Sequence, residues 1–307
     1  MRLLLSSDWH LRVTSPENRV DDFFATQVSK IQQIFTIFKE RNCQYILQAG
    51  DLFDTPRPSF GILETFISLF NKYNINDKNL LAVAGQHDLR FRTEERTAFK
   101  LMRFLGFIQK VDTKITLSEN IDLYGASWGD EIPIIEDADK FNILLIHKTI
   151  IDKKTHFWQE DYLLSSSLFK KYLFDIVLAG DNHSPVFYQN GDRTILGCGT
   201  ISRKTIAEAG IIPHIYILDI NEENLIFSLK KIELDYRPAH EVFRAEALSR
   251  ETVKENAKLN SFIESIKSNE ISTSLDFRKN LETMMKSSDK AVKDIIINSL
   301  MEIENEA

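Results

Sequence analysis

Apolar residues in the first two thirds of the chain fall into short, nearly unbroken runs, and each run gives way to a polar cluster. Residues 2–6 run into Ser7-Asp8-Trp9-His10, residues 44–48 into Ala49-Gly50-Asp51, and residues 79–83 into Ala84-Gly85-Gln86-His87-Asp88. Residues 141–146 end at His147-Lys148, and residues 174–178 run into Ala179-Gly180-Asp181-Asn182-His183. Runs of this length and continuity predict strands covered on both faces. Between them lie amphipathic stretches of helical length. Residues 23–40 set Val28, Ile31, Ile34, Phe35 and Phe38 on one side, and residues 60–73 and 93–107 behave similarly. Strands alternating with helices imply a largely parallel α/β sheet. Ligands of such sheets sit beyond the carboxyl ends of the strands, the edge to which this chain repeatedly brings His, Asp or Gln.

Past Gly210, the last glycine, residues 215–219 and 225–229 read as a further pair of strands. The last proline is Pro238, and from about Glu241 the pattern turns charged and helical. Helices are expected over 250–267 and 275–301, the second carrying Leu281, Met284, Met285, Val292, Ile295, Ile296 and Leu300. The expected division is therefore 1–238 and 239–307. No internal repeat or Walker-type phosphate loop interrupts it.

Composition narrows the function classes. With 307 residues, 43% apolar and 27% charged, the chain reads as a globular protein with a sizeable core. No apolar run is long enough to span a bilayer, and the amino-terminal Met-Arg-Leu-Leu-Leu is too short for a signal peptide. Two cysteines, Cys43 and Cys198, make no disulfide framework, which fits a reducing, cytoplasmic setting. The formal net charge of −7 argues against a simple DNA-binding module. Nucleic acid would need a local basic patch, bound cations or a partner.

Taken singly, the polar clusters are weak to moderate signals. An Asp and a His two apart occur often by chance, and His147 alone reads as a satisfied core histidine. In this order, all at strand ends, they describe a binuclear metal hydrolase. Two divalent cations about 3.5–4 Å apart can hold both the attacking water and the phosphate oxygens. They need a bridging carboxylate with imidazole and oxygen ligands around them. An uncoordinated imidazole nearby can then serve the leaving oxygen.

The series DxH, GDxxD, GQHD, H and GDNH resembles that of the calcineurin-like metallophosphoesterase superfamily. DWHL, GDLFDTPRPS and Gly199-Thr200-Ile201-Ser202-Arg203 are similar to its SbcD-type branch, nuclease subunits of DNA double-strand-break repair complexes. The resemblance covers roughly residues 1–236. It implies a sandwich of mixed β-sheets flanked by helices, with a small C-terminal helical extension. It also implies two divalent cations, manganese or magnesium. Asp8, His10 and His183 would hold the first, Gln86, His147 and Asp181 the second, and Asp51 would bridge them. His87 would act on the phosphate or leaving group, with Asp88 orienting it. Asp54 reads equally as a site acid and as a turn acid before Thr55-Pro56.

Two positions depart from the family, which usually has Asn at Gln86 and His at Asp181. Both replacements are oxygen donors, so the site should favour hard cations such as manganese over zinc.

Arg12, Arg57, Arg90, Arg92 and Arg203 come after the motifs and form a candidate DNA-binding rim, joined by Arg96 and Lys204. Each alone also reads as an ordinary solvated charge. Trp9 and Phe91 read as stacking platforms or as packing. The resemblance further implies a homodimer through residues 60–73 and 93–107, and an SbcC-type coiled-coil ATPase bound near the carboxyl terminus, where 239–307 would form a reduced cap. The expected activity is metal-dependent DNA cleavage in repair or recombination. A small-molecule phosphodiesterase or phosphatase, or a silent scaffold for the ATPase, remain as alternatives.

Overall fold

The computed structural model describes residues 1–152 and 162–250. The helices expected over 250–267 and 275–301 lie outside the described residues, Arg250 apart. Residues Met1–Leu248 form one compact unit.

In one six-stranded sheet, β1 (Arg2–Ser6), β2 (Tyr45–Gln48), β3 (Leu80–Ala82) and β4 (Gln109–Lys110) run parallel. In the other, β5 (Lys114–Ser118) pairs antiparallel with β6 (Ile121–Ala126), and β7 (Phe141–His147) runs parallel to β6. β8 (Ile150–Ile151) and β9 (Leu163–Leu164) make a small separate ladder. The second sheet continues through β10 (Ile176–Gly180), β11 (Val186–Asn190) and β12 (Arg193–Gly197), in the order β11-β12-β10-β7-β6-β5. Finally β13 (His214–Ile220) and β14 (Phe227–Glu233) add antiparallel to the first sheet beside β1.

Two mixed sheets thus replace the single, largely parallel sheet that the periodicity suggests, and match the sandwich that the resemblance implies. The reason lies in the alternation of side chains along each strand. Leu3 and Leu5 of β1 join Leu47, Leu81, Ile143, Leu145 and Leu178 in the core between the sheets. Leu4, one residue out of phase, packs with Ile46, Leu80, Phe35, Phe66 and Phe70 beneath the helices. A strand covered by a helix on one face and a sheet on the other is as continuously apolar as one between two helices.

Helix α1 (Phe23–Glu40) has the expected bounds, and the Asp22 carboxylate caps it by accepting from Ala25 N at 2.9 Å. Helix α2 (Phe60–Lys72) ends one residue early. Helix α3 (Ala98–Phe104) is shorter than the expected 93–107. Arg90 and Thr93 close a bridged turn, and Thr97 caps the helix through Lys100 N, so the first turn cannot begin sooner. Helix α4 (Ser165–Lys171) covers the outer face of the second sheet, where Phe169 joins Leu144, Ile146 and Val177. No helix among the described residues is long and apolar enough to cross a membrane.

Candidate metal centre

The carboxyl ends of β1, β2 and β3 from one sheet meet those of β7 and β10 from the other. The junction is held by backbone and side-chain bonds across the sheets. His147 Nδ1 donates to the Ala49 carbonyl at 2.7 Å, and Asp181 N donates to Asp8 Oδ1 at 2.9 Å. Glycine is required where the sheets come closest. Gly50 has φ +90°, and a Cβ there would strike the His147 ring, while a Cβ at Gly85 would strike Asp51. Asp8, His10, Asp51 and Asp181 also adopt left-handed backbone, at φ 49°, 46°, 54° and 77°. Four non-glycine residues in this region at one edge mark a site whose geometry is imposed by its surroundings.

Among the described residues, three sets of donor atoms converge within 4.8 Å: Asp8 with His10 and His183, His10 with Asp51 and His87, and Asp8 with Asp51 and His147. Asp51 sits at the middle. Its Oδ2 lies 3.5 Å from His10 Nε2 and 3.5 Å from His147 Nε2, while Oδ1 accepts from His87 N at 2.8 Å. Asp181 Oδ1 is 3.8 Å from His147 Nε2, and its other oxygen accepts from the Thr149 hydroxyl. Gln86 opens the short 3-10 turn Gln86–Asp88 and is exposed. The second half of the centre is therefore more open than the first.

The donor set fits divalent cations. Asp8 Oδ2 and His147 Nε2 are buried without a hydrogen-bond partner, an arrangement that is costly unless a ligand completes it. His10 Nε2 and His183 Nε2 face each other at 2.9 Å. His183 Nδ1 is 3.0 Å from the Glu208 carboxylate, and His10 Nδ1 is 3.5 Å from that of Asp54. With the His183 Nδ1 proton directed at Glu208, its Nε2 presents a lone pair toward His10 Nε2, an arrangement that a cation shared by the two rings would satisfy.

Charge reinforces that reading. Burial pushes Asp8 up and His10 down. Burial also opposes ionisation of Asp51 and His147, but their mutual attraction outweighs it, holding Asp51 low and lifting His147 to about 10. Burial lowers His183, but the Glu208 and Asp8 carboxylates together raise it by more.

Several expectations change in detail. Asp88 does not reach the His87 ring. Its carboxylate accepts from Leu52 N, Phe53 N and Gly85 N, tying the β2 and β3 loops together. Burial and the Asp51 carboxylate push Asp88 up to about 7, against three N–H groups that favour its charged form. The His87 ring is oriented instead by the Asp54 carbonyl, 2.9 Å from Nδ1. The Asp54 carboxylate holds Arg12 at 2.9 Å and Lys204 at 2.8 Å. Glu208 and Thr149 join the site without being expected from the sequence. Glu208 lies 25 residues beyond His183 in a turn of its own, with no local pattern to mark it.

The arginine rim divides. Arg57 and Arg92 are exposed, and Arg90 lies partly exposed over the Phe91 ring. Arg92 stands over the Trp128 ring, and both line a cavity of about 190 Å³ that reaches His147 and Asp181. Arg203 is buried, its guanidinium bound to the Ala209 and Arg237 carbonyls, so it cannot belong to an exposed rim. Trp9 is also buried, edge-on to Phe35 and bonded to Ser6 Oγ, which makes it packing. Phe91 remains exposed.

Comparison with known proteins agrees with the geometry. A family model for calcineurin-like phosphoesterases matches residues 1–193. The chain is 26% identical over 275 residues to a double-strand break repair protein MRE11 from Encephalitozoon cuniculi, covering 73% of this chain and 46% of that protein. It is 24% identical over 217 residues to a DNA double-strand break repair protein Mre11 from Halobacterium salinarum, covering 67% and 53%. The chain thus spans about half the length of these relatives. Among solved structures, a Staphylococcus aureus protein provisionally named a 5′-nucleotidase superposes with a TM-score of 0.50 at 12% identity, over 83% of this chain and 58% of that one. The paired sheets, the converging strand ends and the family match give one conclusion: the chain belongs to the calcineurin-like phosphoesterases.

Proposed function

We propose that this chain is a DNA nuclease that hydrolyses phosphodiester bonds with two divalent cations, manganese preferred and magnesium accepted, as a subunit of an SbcCD-type end-processing complex. The observation that carries the reading is Asp51 Oδ2, equidistant from an imidazole of each half. Asp8, His10 and His183 would hold one cation, His147, Asp181 and Gln86 the other, and Asp51 both. When bound, such ions supply Lewis acidity and lower the pKa of coordinated water.

The protein's own residues then position and move protons. A backbone carbonyl only accepts, so His87 Nδ1 keeps its proton toward Asp54, and a second proton carried on Nε2 is the one that can pass to the leaving oxygen. Asp88 fixes the loop that carries it. Arg92, Arg90 and Arg57, with Arg12 partly engaged by Asp54, suit phosphates flanking the bond that breaks, and Trp128 beside Arg92 suits a base.

Similarity to two double-strand break repair proteins supports DNA as substrate and an SbcC-type ATPase as partner. Phe60 on α2 and Phe104 on α3, both exposed, support a homodimer through these helices. The two free cysteines are buried, in keeping with a cytoplasmic setting.

The test is to incubate the chain with manganese and linear duplex DNA, single-stranded DNA or a chromogenic phosphodiester, comparing wild type with His87→Ala. DNA cleavage by wild type, reduced about 10²–10⁴-fold in the variant, is expected for loss of a general acid. Activity on the chromogenic ester alone would favour a small-molecule phosphodiesterase. No activity even with the ATPase would favour a scaffold.

A further inference from the structure

A cavity of about 480 Å³ opens beside α1, lined there by Lys30 and beyond it by Ser202, Arg203 and the segment Asp235 to Arg237. It shares no residue with the metal centre. Lys30 is 3% exposed and Arg203 4%, yet neither meets a carboxylate within ion-pair distance among the described residues. Lys30 Nζ donates to the Asp235 backbone carbonyl, and Arg203 donates to the Ala209 and Arg237 carbonyls. Ser202 Oγ is buried with no partner.

The neighbouring Arg19 shows what compensation looks like here. Asp21 grips it with both oxygens, at 2.8 and 2.7 Å. The other acids of the cavity make no ion pair with either group: Asp22 caps α1, and the exposed Asp235 carboxylate attracts Lys30 only from beyond ion-pair distance. A buried ammonium and a buried guanidinium are costly without an opposite charge. Burial, and next the repulsion of Arg203, hold Lys30 down to about 8. Three donors on Lys30 and five on Arg203 meet only three acceptors among the described residues, which leaves several N–H groups for a ligand.

We propose that this cavity binds a phosphate group, free or carried by a small phosphomonoester, through Lys30, Arg203 and the Ser202 hydroxyl. A tetrahedral dianion supplies both missing charges and accepts from all three side chains. The Tyr236 ring, 43% exposed with the Arg203 guanidinium 5.1 Å from its centroid, stands where the organic part of a monoester would lie.

Calorimetric titration of the full chain with inorganic phosphate and with AMP tests this. Titrations are run on the manganese-loaded protein and again with chelator, because the metal centre itself attracts phosphate. Binding that survives chelator, and that Lys30→Met and Ser202→Ala each weaken about tenfold, is expected for lost hydrogen bonds to a charged group. Tighter AMP binding would assign a monoester, and tighter phosphate binding the free ion. Without ligand, Lys30→Met should melt no lower than wild type, because it deletes an uncompensated buried charge. Absence of binding at millimolar phosphate, or binding equal in wild type and both variants, would overturn the proposal. So would a Lys30→Met protein that melts lower while Ser202→Ala binds like wild type, which would make these groups purely structural.

Discussion

The two halves of the proposed metal centre are built by different means. Around Asp8, His10 and His183, each imidazole has a carboxylate behind it: Asp54 for His10 and Glu208 for His183. Asp54 is itself held by Arg12 and Lys204. Around His147, Asp181 and Gln86, the imidazole leans on a backbone carbonyl, Asp181 on a threonine hydroxyl, and Gln86 is exposed. Either partner fixes the histidine tautomer, but a carboxylate raises the imidazole's basicity more than a neutral carbonyl does. The first half should therefore bind its cation more tightly, and the second should load last and exchange first. Asp51 Oδ2 lies equally far from an imidazole of each half.

Removing Asp51 breaks the comparison outright. Asp51→Ala should lose both ions by titration and cost several kcal/mol of transition-state stabilisation, on the order of 10³-fold in kcat/KM. Glu208→Gln should strike the first half only, lowering affinity for the tighter ion or the rate by about 10–100-fold, read by manganese titration with the weaker site unchanged.

Protons distinguish the halves next. In the metal-free protein His147 is held up to about 10 by Asp51, and burial pushes His10 down. A raised imidazole is protonated at pH 8 and must lose that proton to ligate. Affinity at the second site should thus rise with pH, by about tenfold per unit, until it levels near pH 10. Calorimetry in buffers of different ionisation enthalpy should count the released proton. The smallest effect is expected from Thr149→Val, about fivefold at the second site for one hydrogen bond of about 1 kcal/mol.

Much of this was legible in the residues themselves. The five strand ends that carry Asp8, Asp51, Gln86, His147 and Asp181 arise from apolar runs that stop at polar residues, and α1 from its 3.6-residue stripe and Asp22. Pairing into two sheets was not visible in local pattern, because inter-sheet burial and helix burial look alike along Leu3, Leu4 and Leu5. β11 and β12 carry no clear signal because β11 is a half-exposed edge strand of mixed composition. Glu208 and Asp54 gain their roles only when remote loops meet His183 and His10. Arg203 misleads for the opposite reason: its position after a motif suggests a surface charge, but its guanidinium is buried against the Ala209 and Arg237 carbonyls.

The most direct measurement is anomalous scattering at the manganese edge from crystals grown with manganese. Two peaks about 3.5–4 Å apart are expected, one among Asp8, His10 and His183 and one beside His147 and Asp181, with Asp51 touching both. A single peak, or two that do not share Asp51, would contradict a bridged pair of cations.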